Sequence, residues 1–187
     1  MSQPAPVNTA PTVVVWSVAT RLLHWTLALG MIAAFATHEG GGRLHEVVGY
    51  VALAAASLRV VLGVFGAGRW RFASFVQGAR ATAQYAVAVA RKREAHFLGH
   101  NPLGGWMVLL LLSDAMAAGV TGWLYTTEWF WGVGWMEELH GALGEALLPL
   151  LLLHVGGVVF TSLRQHENLA AAMLHGRKRA ASDADTR

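Results

Sequence analysis

The stretch Glu138-Leu-His-Gly-Ala-Leu-Gly-Glu-Ala-Leu-Leu-Pro-Leu-Leu-Leu-Leu-His-Val-Gly-Gly157 is strongly apolar and contains two histidines, His140 and His154. Because successive residues of an α-helix turn by ~100°, the 14-residue separation leaves both histidines within about 40° on one face. At a rise of ~1.5 Å per residue they lie about 21 Å apart along the axis. This distance is most of the ~30 Å hydrocarbon thickness of a bilayer. A membrane-spanning helix here would therefore present one histidine near each side of the membrane.

The composition of the chain is that of a membrane protein. Of its 187 residues, 55% are hydrophobic and only 13% are charged, and the mean hydropathy is +0.43. A soluble domain normally has about 25% charged residues. The chain contains no cysteine, which excludes disulfides, thiolate metal sites and covalent haem attachment through cysteine. Any cofactor must be held by histidine, methionine, carboxylates or packing.

Hydropathy predicts an all-α, integral membrane bundle of four transmembrane helices. The predicted spans are residues 16–37, 45–65, 102–125 and 138–163, in a membrane domain at 16–179 with disordered tails at 1–15 and 180–187. Asn101 and Pro102 provide an N-cap and a first-turn proline for the third span. Residues 75–90 are predicted to form an amphipathic helix on the membrane surface. The tryptophan-rich segment 126–137 is typical of chain in the headgroup region.

The basic residues predict the orientation of the bundle. Six Lys and Arg lie between the second and third spans, five follow the fourth span, Arg21 flanks the first, and the opposite side has only Arg43. By the positive-inside rule, both termini and the middle loop are cytoplasmic. The same rule explains the pI near 9.8 without a nucleic-acid partner. The cluster at residues 177–179 is expected to touch lipid headgroups, and the sequence leaves oligomerisation open.

The alternating helix directions determine which histidines can meet. His24 and His154 are both predicted near the cytoplasmic side, at the start of the first span and the end of the fourth. His45 and His140 are both predicted at the outer side, where the second and fourth spans begin. The chain thus offers two pairs of facing imidazoles, one on each side. Such a pair suits a six-coordinate, low-spin haem b, whose iron needs no open position.

Small residues at one-turn spacing agree with this hypothesis. Ala28, Gly49 and Gly144 each follow a histidine by four residues, which would let a flat macrocycle lie against the helix backbone. Small-xxx-small helix packing explains the glycines equally well. His45 taken alone is as compatible with a structural histidine at the membrane interface as with a ligand.

Two arginines are candidates for binding the haem propionates. Arg59 follows His45 by 14 residues and requires a partner inside the membrane. Arg21 lies one turn before His24. It is equally explained as a basic residue that sets the membrane orientation and as a propionate ligand. Asp114 can pair with Arg59, relay protons or hydrogen-bond within the bundle. The remaining histidines fall in loops or tails and are expected to be solvated: His38, His96, His100, His166 and His175.

In their order along the chain, several short motifs resemble those of a known family. They are Arg21-Leu-Leu-His-Trp25, His45-Glu-Val-Val-Gly-Tyr50, Gly99-His-Asn-Pro-Leu-Gly104, Thr121-Gly-Trp123, Glu138-Leu-His-Gly141, Leu153-His-Val-Gly156, Glu167-Asn-Leu-Ala-Ala-Ala-Met173 and Gly176-Arg-Lys-Arg179. The chain is similar to the bacterial di-haem cytochrome b561 and nickel-iron hydrogenase b-type cytochrome subunits. The resemblance covers nearly all of residues 16–179.

The resemblance implies a bacterial inner-membrane cytochrome that binds two haem b groups. It implies that His24 and His154 are the axial ligands of the cytoplasmic-side haem iron, and that His45 and His140 are those of the periplasmic-side haem iron. It also implies electron transfer between the quinone pool and a redox partner, such as a periplasmic cytochrome or a hydrogenase-like oxidoreductase subunit. A quinone site near the cytoplasmic haem would draw its proton from Asp114 or a loop histidine.

Two other functions use the same residues differently. A metal-ion transporter would employ the intramembrane histidines, but it should line its path with more carboxylates than Asp114 alone. A structural membrane anchor would leave the four histidines dispensable. No nucleophile with an adjacent base and no phosphate-binding glycine loop is recognisable, so chemistry beyond quinone proton transfer is not expected.

Overall fold

Four long apolar helices form the body of the protein. The structure is a computed structural model that describes residues 12–40 and 42–180. Its helices are α1 (Val18–Ala36), α2 (Arg43–Phe65), α3 (Ala79–Ala90), α4 (Pro102–Tyr125), α5 (Gly134–Gln165) and α6 (Leu169–His175). Helices α1, α2, α4 and α5 are each long and apolar enough to cross a membrane. The predicted all-α fold with four membrane-spanning helices is confirmed, while the direction of crossing stays a prediction.

Local capping accounts for several helix boundaries. The Asn101 side chain accepts a hydrogen bond from the Gly104 amide at 2.7 Å, and α4 begins at Pro102, as expected. Ser17 caps α1 in the same way, accepting from the Thr20 amide at 3.2 Å. The largest difference from the predicted spans is in α5, which starts at Gly134 rather than 138 and ends at Gln165. Its polar first turns extend a helix that hydropathy alone places only over the apolar residues.

The helices pack in series, with α1 against α2, α2 against α4, and α4 against α5. Small residues bring the axes close, since a Cβ added at Gly30 would lie 3.2 Å from Ala52 Cβ, and one added at Gly119 would lie 2.8 Å from Leu53. A small buried core forms around Ala56 of α2. Most large apolar side chains face outward, as expected for a bundle whose solvent is lipid.

The bundle has two distinct ends. At the hairpin end, the α1–α2 turn lies beside the α4–α5 loop, and the Tyr50 and Thr126 hydroxyls are hydrogen-bonded at 3.0 Å. At the tail end, α1 begins, α5 ends, and the segments before α4 and after α5 pack together. Two short 3₁₀ helices, Gly68–Trp70 and Phe72–Ser74, and the surface helix α3 lie in the connection between α2 and α4. The predicted amphipathic helix is therefore present, but it starts at Ala79.

Strand pairing joins the two ends of the described chain. Strand β1 (Thr12–Val14) pairs antiparallel with β2 (Arg177–Arg179), placing Thr12 opposite Arg179. The disordered tail predicted at 1–15 is therefore wrong for these three residues, and residues 1–11 lie outside the described part. The predicted second tail, 180–187, lies outside it except for residue 180. The strands were missed because three-residue strands form only through their tertiary partner.

A buried ionic cluster fixes the C-terminal segment to the loop before α4. Glu167 accepts from Lys178 Nζ at 3.1 Å and lies 3.2 Å from His96 Nε2. Lys178 also donates to the Phe97 carbonyl at 2.9 Å and is only 4% exposed. The expectations that His96 is solvated and that Lys178 touches lipid headgroups are therefore wrong, because the tail folds back over both.

The electrostatics of this cluster favour ionised Glu167. Burial acts to raise the pKa of the Glu167 carboxyl, but the Arg179 backbone N–H and the Lys178 ammonium outweigh it and hold that pKa below its usual range. Burial lowers the pKa of Lys178, and the nearby carboxylate only partly offsets that effect. Nearby, Arg164 donates two hydrogen bonds to Glu94, at 2.8 and 2.6 Å. These ion pairs hold the segment before α4 against the end of α5 and the segment that follows it, at the tail end.

Candidate functional site

His45 and His140 meet at the hairpin end, as the sequence predicts. His45 lies in the first turn of α2 and His140 in the second turn of α5. Their ring centres are 5.9 Å apart and the rings are nearly perpendicular, at 81°. A metal–imidazole bond is about 2 Å long, so two rings on opposite sides of one metal have centres roughly 6 Å apart. The observed separation would allow both rings to bind one metal ion between them.

Backbone carbonyls orient both of these rings. His45 Nδ1 lies 2.9 Å from the Ala34 carbonyl oxygen, at the end of α1, and His140 Nδ1 lies 3.0 Å from the Ala118 carbonyl oxygen of α4. Since a carbonyl oxygen can only accept, Nδ1 carries the hydrogen in both rings. Nε2 of each ring is then left with its lone pair, which is the state of a histidine that binds a metal.

A glycine of α4 forms the surface on which His140 rests. A Cβ added at Gly122 would lie 2.8 Å from His140 Cε1 and 3.2 Å from its Nδ1. Thr121 contributes its hydroxyl 3.3 Å from the same Nδ1, and that hydroxyl also lies 3.0 Å from the Ala118 carbonyl. Thr121 and Gly122, in the motif Thr121-Gly-Trp123 of α4, thus contact the ring of His140 on α5 and limit its position. The sequence gives no direct sign of this contact.

The glycines predicted to leave room for a macrocycle do border open space. A Cβ added at Gly49 or at Gly144 would meet nothing within 4 Å, whereas Gly30 and Gly119 are the glycines at which helices touch. The small-xxx-small alternative therefore does not hold for Gly49 and Gly144. No protein atom therefore occupies the space directly beside these two glycines, one turn from His45 and His140.

The second pair, His24 and His154, faces the tail end. Both side chains are half-buried, and the two lie within electrostatic range of one another. The His24 ring stands edge-on to Trp25, with centres 5.2 Å apart. His24 Nδ1 is buried and has no hydrogen-bond partner among the described residues. In the part of the chain that the structure describes, no hydrogen bond to a backbone carbonyl orients these two rings, unlike those of the hairpin-end pair.

His100 is part of the tail-end site and is not solvated, contrary to expectation. Its ring lies between Phe75 and Trp16, with centres 4.7 and 5.0 Å away. Burial, followed by the positive charge of Arg59 and the proximity of the tail-end histidines, lowers the pKa of His100 to about 4. At neutral pH this imidazole is uncharged. The segment before α4 folds inward here because Gly105 lets the backbone approach Phe75 closely.

Arg59 lies near the tail-end pair but has a protein partner that the sequence did not indicate. Its guanidinium donates to the Trp70 carbonyl at 3.1 Å and lies 4.8 Å from the centre of the Phe72 ring. Pairing of Arg59 with Asp114, one of the three alternatives for Asp114, is not observed among the described residues. Asp114 is 9% exposed, and its Oδ2 has no partner among the described residues. Trp70 and Phe72 belong to the 3₁₀ helices after α2, whose position hydropathy does not reveal.

Arg21 binds the tail of the protein. One of its terminal nitrogens donates to the Leu174 carbonyl at the end of α6, and Trp25 Nε1 donates to the Met173 carbonyl at 3.2 Å. Gly176 follows α6 with φ = +82°, and a side chain there would collide with Trp16 O. Arg21 Nε remains buried without a partner among the described residues. This donor is the one that Arg21 could offer to a bound anion.

The donor set fits haem better than a free metal ion. No group of three or more His, Cys, Asp or Glu side chains that could hold a metal ion occurs within residues 12–40 and 42–180. Each pair supplies two imidazoles, and a porphyrin supplies the other four donors of a six-coordinate iron. The oriented Nε2 atoms, the open space beside Gly49 and Gly144, and the buried Arg21 Nε agree with such a group.

Comparison with known proteins gives one match. Residues 15–176 match the family model described as prokaryotic cytochrome b561. No curated protein and no solved structure matches the chain. The match extends from just before α1 to the end of α6 and includes both histidine pairs. The chain therefore belongs to the prokaryotic cytochrome b561 family, whose members are helical membrane proteins that transfer electrons across the membrane through b-type haem.

Proposed function

We propose that this protein carries electrons across the bacterial inner membrane through two b-type haems, between the quinone pool and a redox partner protein. His45 and His140 hold the haem at the hairpin end, and His24 and His154 hold the haem at the tail end. The observation that carries the proposal is the pairing of His45 with His140. Their ring centres are 5.9 Å apart, and each Nδ1 points at a backbone carbonyl.

The chain's own groups would orient the cofactor and limit its contact with water. The Ala34 and Ala118 carbonyls fix the tautomer and direction of the hairpin-end rings. Arg59 and Arg21 are the propionate-binding candidates at the tail end, where Arg21 Nε lacks a partner. The haem, when bound, supplies reversible one-electron chemistry of its iron. His100, uncharged and packed between Phe75 and Trp16, covers the tail-end pair on the side of the α2–α4 connection.

The orientation follows from the positive-inside rule. The tail end, with the basic connection between α2 and α4, faces the cytoplasm, and the hairpin end faces the periplasm. Quinone exchanges electrons at one haem, and the redox partner binds near the other. The partner is a periplasmic cytochrome or another redox protein subunit. The two sites are joined by α5, which carries one ligand of each haem.

An optical spectrum tests the central part of this proposal. Protein expressed with ample haem and purified in detergent should show b-type bands that sharpen on reduction with dithionite. Pyridine haemochrome analysis should give two haems per chain. A preparation with full zinc or copper occupancy and no haem bands would favour the metal-ion transporter instead. A folded protein with neither haem nor metal would favour the structural anchor.

Electron exchange with quinone requires a separate measurement. Inverted membrane vesicles supplied with a reduced quinone analogue should show reduction of the b-type haems. In parallel, Asp114→Asn and His100→Gln should be tested for slower reduction with unchanged haem content, because quinol oxidation releases protons and these are the candidate groups for relaying them. Haem that is reduced by dithionite but by no quinol would remove the quinone pool from the proposal.

A further inference from the structure

The acidic residues of this protein are concentrated at one end. Five of the eight glutamates lie in or next to the two connections of the hairpin end, and all five are exposed: Glu39, Glu46, Glu128, Glu137 and Glu138. We call them the acidic patch. Within residues 12–40 and 42–180, the only Lys or Arg at this end is Arg43, so the formal charge of these six side chains is −4 at neutral pH. By contrast, Glu94 and Glu167 at the tail end each form an ion pair with a basic side chain.

Membrane topology does not account for this patch. The positive-inside rule is a rule about Lys and Arg in the cytoplasmic loops, and Asp and Glu contribute little to it. A chain with neutral hairpin connections would insert in the same direction. Five exposed carboxylates near a single guanidinium also repel one another, which slightly destabilises the compact state. A cationic partner would turn that repulsion into attraction.

The acidic patch lies on the surface of the hairpin end, next to His45 and His140. Glu46 follows His45 directly in the first turn of α2. Glu137 precedes His140 by three residues, so it lies about 4.5 Å nearer to the start of α5. Tyr125 donates to Glu137 at 3.1 Å, which fixes this carboxylate against the end of α4. The carboxylates therefore lie where a redox protein would have to bind to come close to that pair.

The tryptophan-rich α4–α5 loop, next to the acidic patch, places the patch at a defined depth relative to the membrane surface. Trp129 and Trp131 follow Glu128 in the α4–α5 connection and are 85% and 71% exposed. The Trp131 ring stacks on Tyr125 at 5.9 Å, which joins the loop to α4. Exposed tryptophans of this kind rest in the headgroup region. They hold Glu128 at the membrane surface, facing water and any soluble partner.

We infer that the hairpin end is a docking surface for a soluble electron-transfer protein whose redox centre is surrounded by Lys and Arg side chains. The inference rests on the proposed function and specifies the charge of its redox partner. Opposite charges guide the partner onto the patch, which raises the association rate by ~10- to 1,000-fold at low ionic strength. In the electron-transfer step, one electron passes from ferrous iron at the hairpin-end site to the ferric partner, leaving ferric protein and ferrous partner. The reverse direction balances in the same way.

The test measures electron transfer with two probes of opposite charge. The haem-loaded protein is placed in nanodiscs of zwitterionic phosphatidylcholine, so that a basic probe does not bind the lipid. After reduction, it is mixed in a stopped-flow instrument with a strongly basic or a strongly acidic soluble c-type cytochrome, over a series of salt concentrations. We expect the basic cytochrome to react at least ~10-fold faster at low salt, with a rate that falls as salt is added.

Neutral variants identify the residues responsible. The triple variant Glu128→Gln, Glu137→Gln, Glu138→Gln keeps the side-chain size and the acceptor for Tyr125, and it should slow the basic cytochrome about 10-fold and flatten its salt dependence. The matched control is Arg80→Gln, Arg91→Gln, Arg93→Gln, which removes three exposed charges at the tail end. The control should change the rate less than about two-fold.

Several results would overturn the inference. They are an acidic cytochrome that reacts as fast as the basic one, a Glu triple variant with the wild-type rate, or a control variant that slows the reaction equally. The haem spectrum of each sample, recorded before mixing, separates these outcomes from failure of the proposed function. Interferometry of cytochrome binding to the same nanodiscs measures docking independently of haem. Equal binding of the basic cytochrome to wild-type and Glu-variant nanodiscs at low salt would also refute it.

Discussion

Replacing Gly122 by alanine should selectively damage the hairpin-end haem site. The new Cβ would lie 2.8 Å from His140 Cε1, whereas ordinary contacts of a Cβ begin at 3.4 Å, so the ring must move by at least about 0.6 Å. A shift of that size away from Ala118 would lengthen the 3.0 Å bond of Nδ1 to about 3.6 Å, beyond hydrogen-bond range. His140 would then lose the contact that orients its Nε2.

The magnitude can be worked from these contacts. Overpacking a tight interface is destabilising by about 1–3 kcal/mol, and a lost hydrogen bond contributes about 1 kcal/mol more. A loss of about 2–4 kcal/mol in the site corresponds to roughly 30- to 850-fold weaker haem retention. We expect Gly122→Ala to purify with about one haem per chain and to keep the bands of the tail-end haem. Pyridine haemochrome analysis and a redox titration measure both.

Gly119→Ala is the matched control for this substitution. Gly119 lies one turn earlier on α4, and its added Cβ would also be 2.8 Å from the nearest atom, but that atom belongs to Leu53 rather than to a histidine. Both variants should lower the unfolding temperature, while only Gly122→Ala should lose haem. Two haems with unchanged midpoint potentials in Gly122→Ala, or equal haem loss in Gly119→Ala, would refute the role assigned to Gly122.

Three further predictions concern ligands and charged groups. His140→Ala should remove one haem and His154→Ala the other, each leaving the partner haem's spectrum; loss of both from either variant, measured by haem content, would mean that the sites fold together. Glu167→Gln should destabilise the protein by about 3–5 kcal/mol, since it breaks a buried ion pair, and trypsin should then cleave near Lys178 faster. Because the pKa of Glu167 is held below its usual range, its stabilising contribution is present at neutral pH and is lost as the pH falls below 4.5; an unchanged cleavage rate in the variant contradicts this. Because burial lowers the pKa of His100 to about 4, the unfolded chain binds a proton between about pH 6.5 and 4 that the folded chain does not. The wild type should therefore lose up to about 3 kcal/mol more stability over that range than His100→Gln, and parallel thermal unfolding curves of the two proteins would contradict this.

The sequence predicted those features that depend on single helices. Apolar runs indicate four spans, and the Asn101–Pro102 cap determines where α4 begins. Helix periodicity and alternating directions predict that His45 meets His140, and their ring centres are 5.9 Å apart in the structure; the pairing of His24 with His154 stays a prediction. These predictions succeed because a membrane helix satisfies its own backbone hydrogen bonds, so that its length and direction are local properties.

Features that depend on tertiary contacts were not predictable from the sequence. His96 and His100 are in a loop segment; His96 is covered by contact with Glu167, and His100 by contact with Phe75 and Trp16. Arg59 binds the Trp70 carbonyl, and a backbone acceptor leaves no mark on the sequence. In the sequence Gly122 does not differ from other helix glycines, because its role depends on its distance to His140. In each case the partner is distant in the chain or is a main-chain atom.

The pairing of Thr12–Val14 with Arg177–Arg179 has a consequence for biosynthesis. The strand partners of the N-terminal segment are made after all four spans, because a ribosome synthesises the chain from its N-terminus. All four spans can therefore enter the membrane before Arg21 finds Leu174 and before Lys178 reaches Glu167. Until that moment the space around His24 and His154 is uncovered. Synthesis of the segment after α5 thus limits when the tail end is covered, and a cofactor delivered before that point meets an uncovered site.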